Sequence, residues 1–396
     1  MAVFVKACSN FMESHKTLQV SNDKSVKTIG VGFTVNTSKA VNNSVLVIAE
    51  PGVVCDHLTQ AFRFAPNLEV VGPFETGLTG VSAFGKYHAD TVVLDIGARH
   101  ENPLITLDRL LQIDRHAKII MASTLTFSNV RTSMRGFERG GADFIQMPSG
   151  HTRKSNKDAF RTELLRLVGG MADARRDDPP RRIAGKPTVN KVEARQNITL
   201  REASSHRPTV LAIGSSTGGP EALYTVINQL PDDFPLPVFI TQHMPKLFTA
   251  VLATTLSKRT GKVAVEATQG MTVEPGKFYI APGDHHMTIK GTAARSIIEL
   301  DQEPPVNYCR PSVDPMLESI VNIHKEKTLV VILTGMGRDG QTGAELAVNA
   351  GGSVIAQDAD TSVVWGMPGA VAEAGLCSHV LPLDKIAEAV RKIVKI

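Results

Sequence analysis

The stretch LAIGSSTGGPEAL, residues 211–223, runs from apolar residues through glycines and hydroxyls into a helix former. The turn has neither the lysine nor the spacing of a phosphate-cradling GxxxxGK loop, and it lacks the GxGxxG spacing of a dinucleotide turn. It does contain GxSxG, as Gly214, Ser215, Ser216, Thr217 and Gly218, with a β-rich run before it and Pro220 at a favoured first helical position after it. Strand, sharp turn and helix form the setting of a nucleophile elbow, with Ser216 as the nucleophile. A helix N-terminus beside it favours the negative charge that develops in acyl transfer. On its own the pattern equally describes an ordinary Gly- and Ser-rich turn.

A hydroxyl is a poor nucleophile without a base and a group to orient that base. FITQHMP places His243 just after an apolar run and before a proline, and VVILTGMGRDG places Asp339 in a glycine-rich loop after another. Both are strand-end positions, where open α/β sheets build their sites. Singly, His243 could be a loop histidine and Asp339 with Gly340 a turn. With Ser216 at a third strand end they are less readily a chance arrangement, and a serine-hydrolase triad stands beside the reading as three unrelated loop residues. The order Ser, His, Asp differs from the Ser, Asp, His order of an α/β-hydrolase, so if the three form a triad it lies on another topology.

The elements that must position these residues alternate. In residues 208–396, TVLAIG, VFITQHM, KFYIAPG, TLVVILTG and GSVIAQD are strand candidates, and PEALYTVINQL, LFTAVLATTLSKR, DPMLESIVNIH and GAELAVNA are helix candidates. This predicts a doubly wound α/β domain. Residues 43–170 show the same alternation, with SVLVIA, LEVVG, TVVLDIG, KIIMAS and ADFIQM as five short strands and a closing helix near 155–170. They predict a flavodoxin-like (βα)5 unit. Residues 171–207 carry paired prolines, many charges and few large apolar side chains, and read as a linker. Residues 1–42 are rich in Ser, Asn, Lys and Thr and read as a disordered extension, in which KTIGVGFTV could form one strand.

The chain of 396 residues is 42% hydrophobic and 21% charged, with net charge +4. That charge is spread along the sequence and gives little reason to expect nucleic-acid binding. No apolar run is long enough to span a membrane or to act as a signal peptide. Cys8, Cys55, Cys309 and Cys377 form no CxxC pair, which fits a reducing cytoplasm and argues against a zinc site or a disulfide framework.

GSSTGGPEAL, ITQHMP, YIAPGDHHM, PPVNYCRPSVD, ILTGMGRDG and IAQD…SVVWGMP occur in this order. In that order they resemble the catalytic domain of the chemotaxis protein-glutamate methylesterases, the CheB family. The resemblance covers essentially all of 208–394. It implies hydrolysis of glutamyl methyl esters on the cytoplasmic helices of chemoreceptors, and often deamidation of receptor glutamines, without metal or cofactor. It makes Ser216 the nucleophile, His243 the general base and acid, and Asp339 the carboxylate that orients the histidine. Thr217 stands where the family has a hydroxyl near the histidine, and Met336 where a backbone N–H binds the oxyanion. His285 and His286 read as surface or substrate-rim residues, and Arg310 as structural or rim.

The N-terminal half resembles a response-regulator receiver, which implies a chemotaxis histidine kinase as partner. Asp95 matches the phosphoacceptor, Ser123 the switch hydroxyl and Glu50 one member of the acidic pair. Ala49 replaces the other member, and Met147 replaces the lysine that would neutralise a phosphoryl group. Mg²⁺ relies on carboxylate oxygens, so ordinary phosphorylation of Asp95 is expected to be lost or weak. Such a receiver is expected to pack weakly and to leave substantial unstimulated activity. Two other readings stand beside the esterase: a docking or scaffold protein with little turnover, and an esterase or amidase acting on a different protein.

Overall fold

A computed structural model of the chain describes residues 43–63, 65, 67–97, 102–148, 154–176 and 198–396. The expected extension at 1–42, with its candidate strand, and residues 177–197 of the expected linker lie outside the described residues.

Five parallel strands form the first sheet: β1 (Asn43–Ile48), β2 (Leu68–Phe74), β3 (Thr91–Asp95), β4 (Lys118–Ser123) and β5 (Asp143–Gln146). Their order is β2-β1-β3-β4-β5, the order of flavodoxin-like folds. TVVLD in β3 is buried at every position, as expected of a parallel strand covered on both faces. The flanking helices are α1 (Val53–Phe62), α2 (Gly77–Tyr87), α3 (Pro103–Ile113), α4 (Phe127–Phe137) and α5 (Lys154–Arg176). Thr76 and Thr126 cap α2 and α4 through side-chain oxygens that accept from Thr79 and Asn129 N–H, and Asn102 caps α3 ahead of Pro103. The last helix runs to Arg176, past its expected end near 170.

The second sheet has seven parallel strands in the order β14-β13-β12-β6-β7-β9-β8. They are β6 (Val210–Ser215), β7 (Val238–Gln242), β8 (Val263–Glu266), β9 (Lys277–Ile280), β12 (Thr328–Ile332), β13 (Ser353–Gln357) and β14 (His379–Leu381). An antiparallel hairpin, β10 (His286–Thr292) and β11 (Arg295–Asp301), stands outside the sheet. The helices are α6 (Gly219–Asn228), α7 (Phe248–Thr260), α8 (Val313–His324), α9 (Gln341–Asn349), α10 (Met367–Glu373) and α11 (Leu383–Val394). The five expected strands are present. The sheet adds the short edge strands β8 and β14, and the hairpin is a further addition. From β6 the chain steps to β7 on one side, while β12 pairs on the other. This is a topological switch point, and the loops after β6, β7 and β12 open there.

The two sheets belong to one compact unit, and a single buried core runs through both. Phe144 of β5 packs its ring on Phe248 of α7 at 4.4 Å between centroids. Gly218 N–H donates to Ala142 O at 2.9 Å, and Lys118 Nζ donates to Val363 O at 3.1 Å. Met134 and Phe137 of α4 line a narrow crevice with Leu252 and Arg259 of α7. The expectation of weak packing does not hold, because a shared apolar core, a ring pair and hydrogen bonds join the two halves.

Candidate active site

Ser216, Thr217 and Gly218 make the turn between β6 and α6. Ser216 N–H donates to Thr334 O at 3.0 Å, and Ser216 O accepts from Gly219 N–H at 2.7 Å. Gly218 has φ 77°, and a Cβ there would lie 2.5 Å from Val363 Cγ2. Only glycine meets both demands. Gln242, the last residue of β7 and 2% exposed, ties this turn to the next loop. Its Oε1 accepts from Ser215 Oγ at 2.7 Å, and its Nε2 donates to Ser216 O at 2.9 Å and His243 O at 3.2 Å.

Asp339 follows β12 and is buried. Its Oδ2 accepts from His243 Nε2 at 2.7 Å and from Val313 N–H at 2.6 Å. Its Oδ1 accepts from Ser312 Oγ at 2.7 Å, Asn307 Nδ2 at 2.9 Å, Gly340 N–H at 3.1 Å and Asp314 N–H at 3.3 Å. Val313 and Asp314 open α8, so the carboxylate sits on a helix N-terminus, where negative charge is favoured. Burial opposes its ionisation. The His243 bond, the His243 charge and the Val313 and Ser312 donors outweigh that burial and hold Asp339 well below the usual carboxylate range. For His243, burial opposes the imidazolium, but Cys309 and Asp339 outweigh it and raise the ring above the ordinary histidine value.

With Nε2 given to Asp339, the other imidazole nitrogen is Nδ1. It lies 3.5 Å from Cys309 Sγ. Among the described residues no hydrogen bond joins Ser216 Oγ to His243. The segment after β12 runs against the nucleophile turn, since a Cβ on Gly335 would be 2.8 Å from Ser216 Cβ. Met336 is the next residue along that segment. Its side chain packs on α5, where a Cβ on Gly170 would overlap Met336 Cε.

Thr217 differs from the expectation. Its hydroxyl donates to Asp143 Oδ2 of β5 rather than reaching the histidine. Burial pushes the Asp143 carboxyl up to about 6, with the Thr217 bond offsetting part of the effect. His286 also differs. It is 1% exposed, not at the rim, with Nδ1 accepting from Ser312 N–H at 3.2 Å and Nε2 3.2 Å from Pro304 O. It supports the serine that in turn holds Asp339. His285 is half-buried. Arg310 is a rim residue, with Nη2 on Asp284 Oδ1 at 2.6 Å.

In the first sheet, Asp95 is 6% exposed at the end of β3 and its Oδ1 accepts from Gly97 N–H at 2.8 Å. Burial, with a smaller push from Glu50, raises it to about 6. Glu50 and Glu75 line one small crevice with Asp95. Ser123 is fully buried and its hydroxyl donates to Thr124 O at 3.1 Å. A receiver fold implies Mg²⁺ here, but these residues do not fit it. Ala49 and Met147 are buried apolar side chains at 2% and 1% exposure. Among the described residues no three His, Cys, Asp or Glu side chains come together as a metal site.

Sequence reasoning missed Gln242, Asn307, Cys309, Ser312 and Asp143. Ser312 carried a signal, because Ser before VDP marks a helix start. The others make contacts across the fold that no local pattern encodes.

The CheB methylesterase family model matches residues 211–390. The chain is 42% identical over 361 residues to the protein-glutamate methylesterase/protein-glutamine glutaminase of Azospirillum brasilense, covering 88% of this chain and 92% of that one. It is 40% identical over 368 residues to the same-named protein of the group 2 operon of Rhodospirillum centenum, covering 88% and 93%. The solved CheB methylesterase catalytic domain of Thermotoga maritima is 44% identical, with 47% of this chain and 99% of that one covered and a TM-score of 0.46.

Proposed function

The chain belongs to the CheB methylesterase family, and on that premise we propose that it hydrolyses glutamyl γ-methyl esters on chemoreceptors and deamidates receptor glutamines. The observation that carries the reading is the His243–Asp339 pair at 2.7 Å, set beside the Ser216 turn by Gln242. Ser216 Oγ attacks the ester carbonyl and His243 Nδ1 takes its proton, once the imidazole has turned from Cys309. The Met336 backbone N–H holds the tetrahedral oxyanion; one such donor contributes about 3 kcal/mol. The imidazolium then protonates the leaving methoxide, and methanol departs. Water, with its proton taken by His243, splits the acyl-serine to give glutamate and free Ser216. A docking role with little turnover has no support in the relatives' names.

Methanol release from methylated chemoreceptor membranes tests this reading. The full chain is expected to release it. Membranes that keep their methyl groups in the presence of enzyme would end the proposal. The pH profile is a second test. His243 must be neutral to accept the serine proton, and Asp339 and Cys309 favour its charged form. The value of kcat/KM is therefore expected to rise with pH through a limb centred above about 6.5. A midpoint at or below that value would contradict the arrangement.

The receiver half is proposed to meet a chemotaxis histidine kinase in the cytoplasm, with Asp95 a poor phosphoacceptor. No helix among the described residues is long and apolar enough to cross a membrane. Incubation with acetyl phosphate and Mg²⁺ is expected to leave Asp95 unmodified by mass and the esterase rate unchanged. A stable acyl phosphate on Asp95 would refute this.

A further inference from the structure

Backbone strain gathers around the candidate site. Four of the non-glycine residues with positive φ are Leu247, Asp284, Asn307 and Tyr308, at 77°, 70°, 52° and 64°. They lie on three loops that touch one another. A Cβ on Gly283 would be 2.3 Å from Lys246 N, and Asp284 N–H donates to Arg310 O at 3.2 Å. Strained backbone persists only where its surroundings hold it, and it clusters at functional sites.

The tip at 307–308 is the most unusual of these. Val306 and Cys309 exchange both backbone hydrogen bonds, at 3.1 and 2.9 Å, so Asn307 and Tyr308 form a two-residue turn. A turn with positive φ at both central residues prefers Asn-Gly. Asn307 suits the first position and is held by Asp339 Oδ1 at 2.9 Å and Asp314 Oδ2 at 2.8 Å. Tyr308 occupies the position that glycine would take without strain, and its side chain lies wholly in solvent, at 102% relative exposure. Among the described residues no contact explains an aromatic ring there. The next residue, Cys309, touches His243. Leu247, four residues after His243, is also exposed.

We propose that Tyr308 is a specificity-determining residue, whose ring packs on apolar side chains of the protein helix that presents the ester to Ser216. The inference rests on the esterase reading and adds the contact that recognises the substrate. Aromatic rings supply large contact area with few torsions to fix, which is why they dominate binding hot spots. The hairpin is anchored on Asp339 and His243, so a ring docked at its tip fixes the helix relative to the base. Leu247 offers a second apolar contact on the loop that carries His243.

The test is Tyr308→Gly in the full chain, a change that relieves the turn and so leaves folding intact or improved. Two substrates are compared: methylated chemoreceptor membranes and a small soluble ester, N-acetylglutamate γ-methyl ester. On receptors kcat/KM is expected to fall at least about tenfold, mostly through KM. On the small ester it stays within about twofold, because the ring touches no reacting atom. Equal losses on both substrates, or no loss on receptors, would overturn the role of Tyr308. A wild-type chain that cleaves the small ester but not receptors would overturn the receptor reading, and this proposal with it.

Discussion

Ser216→Ala is expected to lower methanol release about a million-fold, and Asp339→Asn to lower kcat about ten-thousand-fold with KM little changed. The double variant should be no slower than Ser216→Ala, because groups that act as one unit are not additive. The argument for Asp339 starts from its bonds. Six donors converge on the carboxylate, including His243 Nε2 and two N–H groups of the α8 N-terminus. An amide can replace one oxygen but not both. At Oδ1 its NH₂ would confront four donors, so it takes the Oδ2 position, facing Val313 N–H and His243 Nε2, and the imidazole loses its acceptor. His243 would then take the wrong tautomer, with Nδ1 protonated and unable to receive the serine proton. The melting temperature separates this from unfolding. A depressed carboxyl contributes stability above the usual carboxylate range and loses it as pH falls, so the folded variant should be less sensitive to acid than the parent. A Ser216→Ala chain retaining a tenth of the rate would remove Ser216 as nucleophile.

Much of this site is legible in the sequence because each triad candidate stands at the end of a strand with its own apolar signature. Ser216, His243 and Asp339 follow fully buried runs, and parallel strands covered on both faces announce themselves as unbroken apolar segments. The edge strands β8 and β14, four and three residues long, are too short to carry a period. His286 was misread for a related reason. Next to His285 in APGDHHM it resembles a loop residue, but it opens β10, where alternation turns one of two neighbours inward. Gln242 and Cys309 gave no signal, because their partners lie 26 and 66 residues away along the chain. The weak packing expected of the first domain came from the positions where it departs from the receiver pattern it resembles. Those residues bear on Asp95 and say nothing about the opposite, docking face, where Asp143 and Phe144 lie.

Phe144→Ala in the full chain is expected to raise basal methanol release by up to about 100-fold. The Phe144 ring spans the junction onto Phe248, and truncating a buried phenylalanine costs about 3 kcal/mol. If that cost falls on docking, at about 1.4 kcal/mol per factor of ten, the open population grows roughly 100-fold until it saturates. The junction lies against residues that flank Ser216. Ala142 O takes the Gly218 N–H, Asp143 takes the Thr217 hydroxyl, and α5 lies on Met336. Asp143 predicts the opposite sign. Its carboxyl is raised by burial to about 6 in the docked state. Its contribution to docking is therefore full below the free carboxyl value near 4 and is lost as pH rises through about 6. At pH 7–8 the docked state carries the cost of a buried charge. Asp143→Asn removes that charge and keeps an oxygen for Thr217, so basal release should fall and the melting temperature rise. Methanol release and melting curves on the two variants at pH 7.5 decide the matter. Opposite shifts identify this junction as the gate, whereas unchanged rates in both would mean that substrate reaches Ser216 without opening it.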